Sequence, residues 1–296
     1  SSPPPSPHSH IMPVRQHLYA DPEIYDILHD EGTRSDITRF ARIACAVSPA
    51  LRSVKQLRWL EPASGSGRYL LACAARGDMA LGIDLSREMI AYTLQQAREK
   101  GYESTIAGLA ARMENFDVAK ARWAGKPKAF GKAHIAFNPI NSIRHLATDA
   151  AMLKHLACVQ RHLHRDGVYI VGLSLSAYGL ESVSEDVWIG TRRGTTVTQV
   201  VQYEPPDIDA TGAAARRERV ISHLTITRKG ADDEHRDSSY WLRTYNLAQW
   251  TALIARSGWH IAATFANTGK RAKPSEPGYF LFAMTPPRGT SGANTP

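Results

Sequence analysis

Apolar and polar positions follow two different rhythms along this chain. From Gln56 to about Leu173, dense apolar runs of strand length are each followed by a turn and then by a stretch with apolar residues every third or fourth position. The first kind of run reads as a strand and the second as an amphipathic helix. Strands are predicted at Leu57 to Glu61, Met79 to Asp84, Leu109 to Met113, Ala133 to Phe137 and Gly167 to Leu173, and helices at Gly67 to Arg76, Arg87 to Lys100 and Asp149 to His164. The last helix shows its stripe plainly, with Met152, Leu153, Leu156, Val159 and Leu163 on one side and Lys154, Arg161 and Arg165 elsewhere. Strands and helices in alternation argue for a parallel sheet covered on both faces.

After Ser174 the rhythm changes. Thr195 to Tyr203, Val220 to Thr227 and Ser238 to Tyr245 are β-branched or aromatic and partly alternating, with Pro205-Pro206, Gly212 and Gly230 between them. These predict an antiparallel insertion. A helix at Leu247 to Ser257 and strands at Trp259 to Phe265 and Tyr279 to Thr285 then return to the first sheet. Upstream, Asp21-Pro22 followed by Glu23 is a helix start, and a second helix is expected from Ser35 to Val47. The two ends, rich in Pro, Ser, Gly and Thr, are expected to be disordered. The expected organisation is a leader over residues 1–12, N-terminal helices over 13–56, a core over 57–174, an antiparallel insertion over 175–246, the rest of the core over 247–285 and a tail over 286–296.

With 296 residues, 43% of them hydrophobic, the chain can bury a large core. No apolar run approaches the roughly 18 residues of a membrane span, and the first residues lack the order of a secretion signal, so a cytoplasmic location is expected. The three cysteines lie far apart and read as buried small hydrophobes. The net charge of +8 raises nucleic acid as a partner. The basic stretch from Lys120 to Lys132 interleaves Trp123 and Phe130, which could stack bases, although such runs are usually solvated. The twelve histidines show no metal-ligand spacing, so no metal is expected.

The chemistry concentrates between the first two strands. Leu60-Glu61-Pro62-Ala63-Ser64-Gly65-Ser66-Gly67 sits where the first strand passes into a helix, and Asp84 ends the second strand in GIDLS. Glycines let a ligand approach the backbone, and a carboxylate one strand over can accept two ribose hydroxyls. Gly65 and Gly67 are otherwise plain turn residues, and Asp84 a helix cap. A dinucleotide fingerprint needs a third glycine where this chain has Leu70, and Glu61 would repel a pyrophosphate. An amino group, a ribose and no phosphate fit better.

EPASGSG with GIDLS resembles motif I and the following acid of class I S-adenosylmethionine-dependent methyltransferases, and the resemblance runs from about Tyr19 to Thr285. The stretch from Asn138 to Leu173, which opens with NPINSIRHL, resembles small-molecule members of the glycine and sugar-amine N-methyltransferase type, and YADPEIYDILHD is similar to their lid helix. The resemblance implies an α/β fold, a Rossmann-like seven-stranded, mostly parallel sheet with helices on both faces, an N-terminal helical lid and an inserted antiparallel β-sheet that covers the acceptor and often builds a homodimer. It implies S-adenosyl-L-methionine as cofactor. Glu61, Ala63, Ser64 and Gly65 would surround the methionine moiety and Asp84 the ribose, with Leu85, Met89 and Met113 near ribose and adenine. Phe137 and Asn138 would face the methionine part, and Tyr25 would close over it. Arg112 stands where many relatives have the aspartate that meets the adenine amino group, leaving Glu114 or backbone atoms for that task.

Methyl transfer from a sulfonium needs positioning and exclusion of water more than a fixed catalytic group. The candidates near the acceptor are Tyr19 and Tyr25 on the lid, and His145 beyond the fourth strand. Each has a packing role as its alternative. Arg39 and Arg144 could bind an acceptor carboxylate, and Asn141 orient the acceptor or shape the turn. The expected activity is methyl transfer to a small-molecule acceptor such as an amine. The alternatives are an RNA, DNA or protein methyltransferase, a non-catalytic donor-binding protein and a nucleotide-linked oxidoreductase.

Overall fold

The structure, a computed structural model, describes residues 21–126 and 128–287. Tyr19 therefore lies outside the described residues, as do the expected leader and most of the tail. Among the described residues twelve strands form two sheets. The larger contains β1 (Arg58–Pro62), β2 (Met79–Asp84), β3 (Ile106–Ala110), β4 (Arg122–Trp123), β5 (Ala133–Asn138), β6 (Leu163–Leu175), β11 (His260–Phe265) and β12 (Gly278–Thr285), in the order β11-β12-β6-β5-β1-β2-β3-β4. The five strands from β6 to β3 in that order pair in parallel, whereas β12, β11 and the two-residue β4 run antiparallel to their neighbours.

Successive strand residues point to opposite faces, so a sheet buried on both sides needs apolar residues in unbroken runs. That is what β1, β5, β6 and β12 supply. Trp59, Ile135, Phe137, Ile170 and Leu281 pack on one face under α2 (Thr33–Val47), α3 (Arg68–Ala75) and α4 (Arg87–Glu99). Their neighbours Leu60, Ala136, Val171 and Phe282 pack on the other under α5 (Asp149–His162) and α6 (Leu247–Ser257). Local chemistry fixes the helix starts. Thr148 accepts from the Ala151 amide at the head of α5, and Asn246 with Gln249 forms a reciprocal cap on α6. Gly258, at φ 79°, closes α6.

The second sheet is an antiparallel meander of β7 (Ser184–Arg192), β8 (Thr195–Glu204), β9 (Arg217–Arg228) and β10 (Glu234–Arg243). The first helix, α1 (Pro22–His29), is capped by Asp21, whose Oδ1 accepts from the Ile24 amide at 3.3 Å, with Pro22 at its first position. It lays Ile24, Ile27 and Leu28 on Val197, Leu224 and Ile226 of this sheet. A Cβ at Gly190 would stand 2.0 Å from the Ile27 carbonyl oxygen, so a glycine is what lets the helix lie this close.

Four expectations need correction. The third strand is Ile106–Ala110, not Leu109 to Met113, because register with β2 pairs Ala80 with Ile106 and Asp84 with Ala110. Met113 consequently sits in the loop beyond the strand. The helix from Asp149 stops at His162 rather than His164, and β6 opens at Leu163 rather than at Gly167. β7 is an additional edge strand. Finally, Phe130 is buried and Trp123 packs against the same core, so the Lys120 to Lys132 stretch presents no aromatic platform for bases. Among the described residues no helix is long and apolar enough to cross a membrane.

Candidate active site

The carboxyl ends of β1, β2 and β5 meet at one edge of the large sheet, where the glycine turn begins. Ala63, Gly65 and Gly67 all take positive φ, at 57°, 53° and 77°. For the two glycines this costs nothing. For Ala63 the left-handed conformation costs roughly 1–2 kcal/mol, the kind of local strain that clusters at ligand sites. The turn is tied to its neighbour: the Ser64 amide donates to Ile83 O at 2.9 Å, and the Gly65 amide to Asp84 Oδ2 at 2.8 Å. Asp84 Oδ1 accepts from the Ser86 amide at 2.9 Å. A Cβ at Gly67 would stand 2.4 Å from a Thr93 methyl, so α4 packs directly on the turn.

Three buried polar atoms at or next to these strand ends have no hydrogen-bond partner among the described residues: Glu61 Oε2, Ser64 Oγ and Asn138 Oδ1. Asn138 spends its amide group on Pro62 O at 2.7 Å, which turns its oxygen away from that bond. Buried polar groups are nearly always paired, so three orphaned acceptors at adjoining strand ends point to something that fills the space. Burial holds the Glu61 carboxyl well above the usual carboxylate range, with Asp84 adding to the rise and Arg68 opposing it. Asp84 is raised by burial too, against the lowering effect of the amides it accepts from.

The helix α1 lies against this turn. A Cβ at Gly65 would lie 3.1 Å from the Tyr25 ring, and burial pushes the Tyr25 phenol up to about 12. One helical turn on, the His29 ring centroid lies 4.6 Å from that of Tyr25, and burial, assisted by Arg68, holds His29 neutral with a pKa of about 4. Next to Tyr25 and away from the apolar face of α1, buried Asp26 accepts from Ser66 Oγ at 2.9 Å, Tyr92 OH at 3.2 Å and Arg192 Nη1 at 2.7 Å. One carboxylate thus joins the lid to the glycine turn, to α4 and to the inserted sheet.

Beyond its last residue β5 runs into Pro139, and Ile140 and Asn141 take φ of 57° and 62°. Asn141 exchanges hydrogen bonds with Ser174 across this turn, so it shapes the backbone. His145 ends the short 3-10 turn Ser142–His145, and its ring faces Tyr240 of β10 at 5.5 Å and 31°. Tyr240 in turn acts electrostatically on Tyr25. The fold thus places Tyr240 of the insertion beside His145 and within electrostatic range of Tyr25.

The other expected residues divide. Leu85 is 70% exposed beside Asp84, an apolar surface open to a ligand, whereas Met89 and Phe137 are fully buried. The Phe137 ring packs edge-on against Trp59 and Tyr69 in the core, leaving only its backbone for the site. The Met113 carbonyl accepts from His155 Nδ1 at 2.8 Å. Arg112 and Glu114 pair with each other at 3.0 Å. Arg144 is held by Glu218 at 2.5 Å and by Arg243 O, and Arg39 by Asp36 and Asn267, so neither guanidinium is waiting for a carboxylate. Sequence reading missed Asp26, Arg68 and Tyr240. Arg68 directly follows the glycine turn, but nothing in its neighbours marks it as buried.

No family profile matches the chain, and no curated protein sequence matches it. Solved structures do. The chain is similar to Streptomyces venezuelae DesVI, with 20% identity and a TM-score of 0.65 over 90% of this chain and 98% of that one. It is similar to the sugar N-methyltransferase KedS8 from a Streptoalloteichus species, with 17% identity and a TM-score of 0.62 over 90% and 92% of the two chains. It is also similar to CalS10, an amino pentose methyltransferase from Micromonospora echinaspora solved with S-adenosylmethionine bound, with 17% identity and a TM-score of 0.61 over 89% and 95%. In architecture, from the lid helix to the last antiparallel strands, this chain has the fold of the class I S-adenosylmethionine-dependent methyltransferases.

Proposed function

We propose that the protein is an S-adenosylmethionine-dependent methyltransferase that transfers its methyl group directly to a small-molecule amine. The observation that carries this reading is the set of three orphaned buried acceptors, Glu61 Oε2, Ser64 Oγ and Asn138 Oδ1, at strand ends beside Asp84. The donor's ammonium has three protons to give and suits Glu61. Asp84 keeps spare acceptor capacity for ribose hydroxyls, since each carboxylate oxygen can take a second hydrogen bond. Leu85 offers an apolar face to the base. The sulfonium supplies an activated methyl group, so the chain's work is to orient and to exclude water. Tyr25 keeps its proton at neutral pH and so serves as a hydrogen-bond donor and a wall rather than a base. We place the acceptor between Tyr25, Tyr240 and His145, next to the turn at Ile140. The sugar N-methyltransferase and amino pentose methyltransferase among the similar structures support an amine as the acceptor class.

Titration calorimetry with S-adenosylmethionine tests the donor site. Micromolar-range binding is expected, weakened at least about tenfold by Asp84→Ala, the loss of one charge-assisted contact. Affinity untouched by that change would remove Asp84 from the site. Transfer of a labelled methyl group to a panel of amino sugars and small amines then tests the acceptor class.

A further inference from the structure

Arg68, the first residue of α3, turns inward and is 7% exposed. Arginine is rarely buried to this degree unless paired. Its Nη1 donates to Thr33 Oγ1 at 2.6 Å, and its guanidinium lies 3.9 Å from the centroid of the Tyr69 ring. Among the described residues no carboxylate comes within 4.0 Å of it, although other arginines of the chain find one, as Arg144 does at Glu218 and Arg192 at Asp26. The groups sharing its enclosure beneath the lid are Tyr25 and His29, both uncharged at neutral pH, and Glu61. Burial works to lower the Arg68 pKa, but Tyr69, Tyr25 and Glu61 hold it above its ordinary value, so the guanidinium stays charged.

The space between lid and glycine turn therefore contains a permanent cation lacking its counter-charge and, near it, a carboxyl with an orphaned oxygen. A zwitterion with both charges on one carbon satisfies the two at once. We propose that Arg68 holds the α-carboxylate of the donor's methionine part, across from Glu61 and its ammonium. This assignment rests on the S-adenosylmethionine reading of the site. The planar guanidinium, set by the Thr33 hydroxyl on one edge and by the Tyr69 ring on its face, presents its remaining N–H groups as a fork, the geometry that matches a carboxylate.

The test compares S-adenosylmethionine with decarboxylated S-adenosylmethionine, which differs only at the carboxylate, by calorimetry on the full chain. Wild-type protein is expected to bind the intact donor about tenfold or more tightly than the decarboxylated one. Arg68→Met should weaken the intact donor by a similar factor and leave the decarboxylated one unchanged, and Arg68→Lys, a charge without the fork, should fall between. Equal weakening of both ligands by Arg68→Met would assign the residue to packing and overturn the proposal. So would a wild-type protein that does not distinguish the ligands, a measurement that stands even if Arg68→Met does not fold. Binding of neither ligand by wild type is a different result: it removes the donor reading itself, and the role of Arg68 with it.

Discussion

In the proposed donor site, burial is what would make Glu61 a selective contact. Its carboxyl is enclosed at the end of β1, so that its proton is retained to higher pH than in water, and its Oε2 has no partner among the described residues. An ammonium arriving next to it favours the ionised form, and the proton must leave. Donor binding at a pH where the free Glu61 carboxyl still holds its proton is therefore expected to release protons, measurable as a dependence of the calorimetric heat on the ionisation enthalpy of the buffer. Glu61→Gln should abolish that release and lower donor affinity roughly tenfold to a hundredfold, the range for a hydrogen bond to a charged group. Proton release that persists in the variant would place the titrating group elsewhere. The positions of Glu61 and Asp84 were legible in the sequence because each lies at a strand end with a recognisable turn beside it. Asp26 and Tyr240 were not, because what defines them is distant: Asp26 meets Ser66 and Arg192, 40 and 166 positions away.

At the level of elements, α1 is the piece on which the site depends most, since it is held from two sides. Its apolar face rests on β8 and β9, and its opposite face sends Asp26 to the glycine turn. The close approach rests on Gly190, where a side chain would meet the Ile27 carbonyl. Gly190→Val is expected to lift α1 from the inserted sheet. Amide exchange over residues 22–29 should then lose protection and donor affinity fall, while exchange in β1, β5 and β6 stays as in wild type. Unchanged protection of α1 would mean that Asp26 alone anchors the lid. The lid helix was readable from Asp21-Pro22, yet its docking surface was not, because β7 pairs through backbone and leaves Val187, Trp188 and Ile189 exposed. Without alternation such an edge strand gives no periodic signal. β3 was misplaced for a related reason: Gly108 interrupts its apolar run, and register with β2, which is invisible locally, decides its ends.

For the molecule as a whole, the parallel core was the most legible part, because burial on both faces demands the apolar runs that sequence displays directly. What sequence could not display is how that core handles charge. His155 is fully buried beneath the sheet, with Nδ1 donating to Met113 O at 2.8 Å and Nε2 accepting from Tyr169 OH at 2.7 Å. Burial lowers its pKa from 6.5 to about 4, and burial likewise lowers His29 and His134 to about 4. A base with a depressed native pKa takes up its proton first in the unfolded chain, so each such histidine withdraws stability as pH falls from about 6.5 towards 4. For His155 the full shift corresponds to about 3 kcal/mol. Glu61 acts with the opposite sign: its native form holds the proton more tightly, so its share of stability grows as pH falls through its raised pKa. Burial lowers His162 as well, and it raises Asp84 and Glu181 as it does Glu61, so four histidines stand against three carboxyls and the net change should be a loss. Urea unfolding at pH 7.5, 6 and 5 is expected to show a midpoint that falls across the series, and His155→Gln should flatten the fall by up to about 1.4 kcal/mol per pH unit, the share of one proton. A variant curve parallel to that of wild type would show that His155 does not titrate with unfolding, and that the acid sensitivity lies at the other depressed histidines, of which His29 belongs to α1 rather than the core.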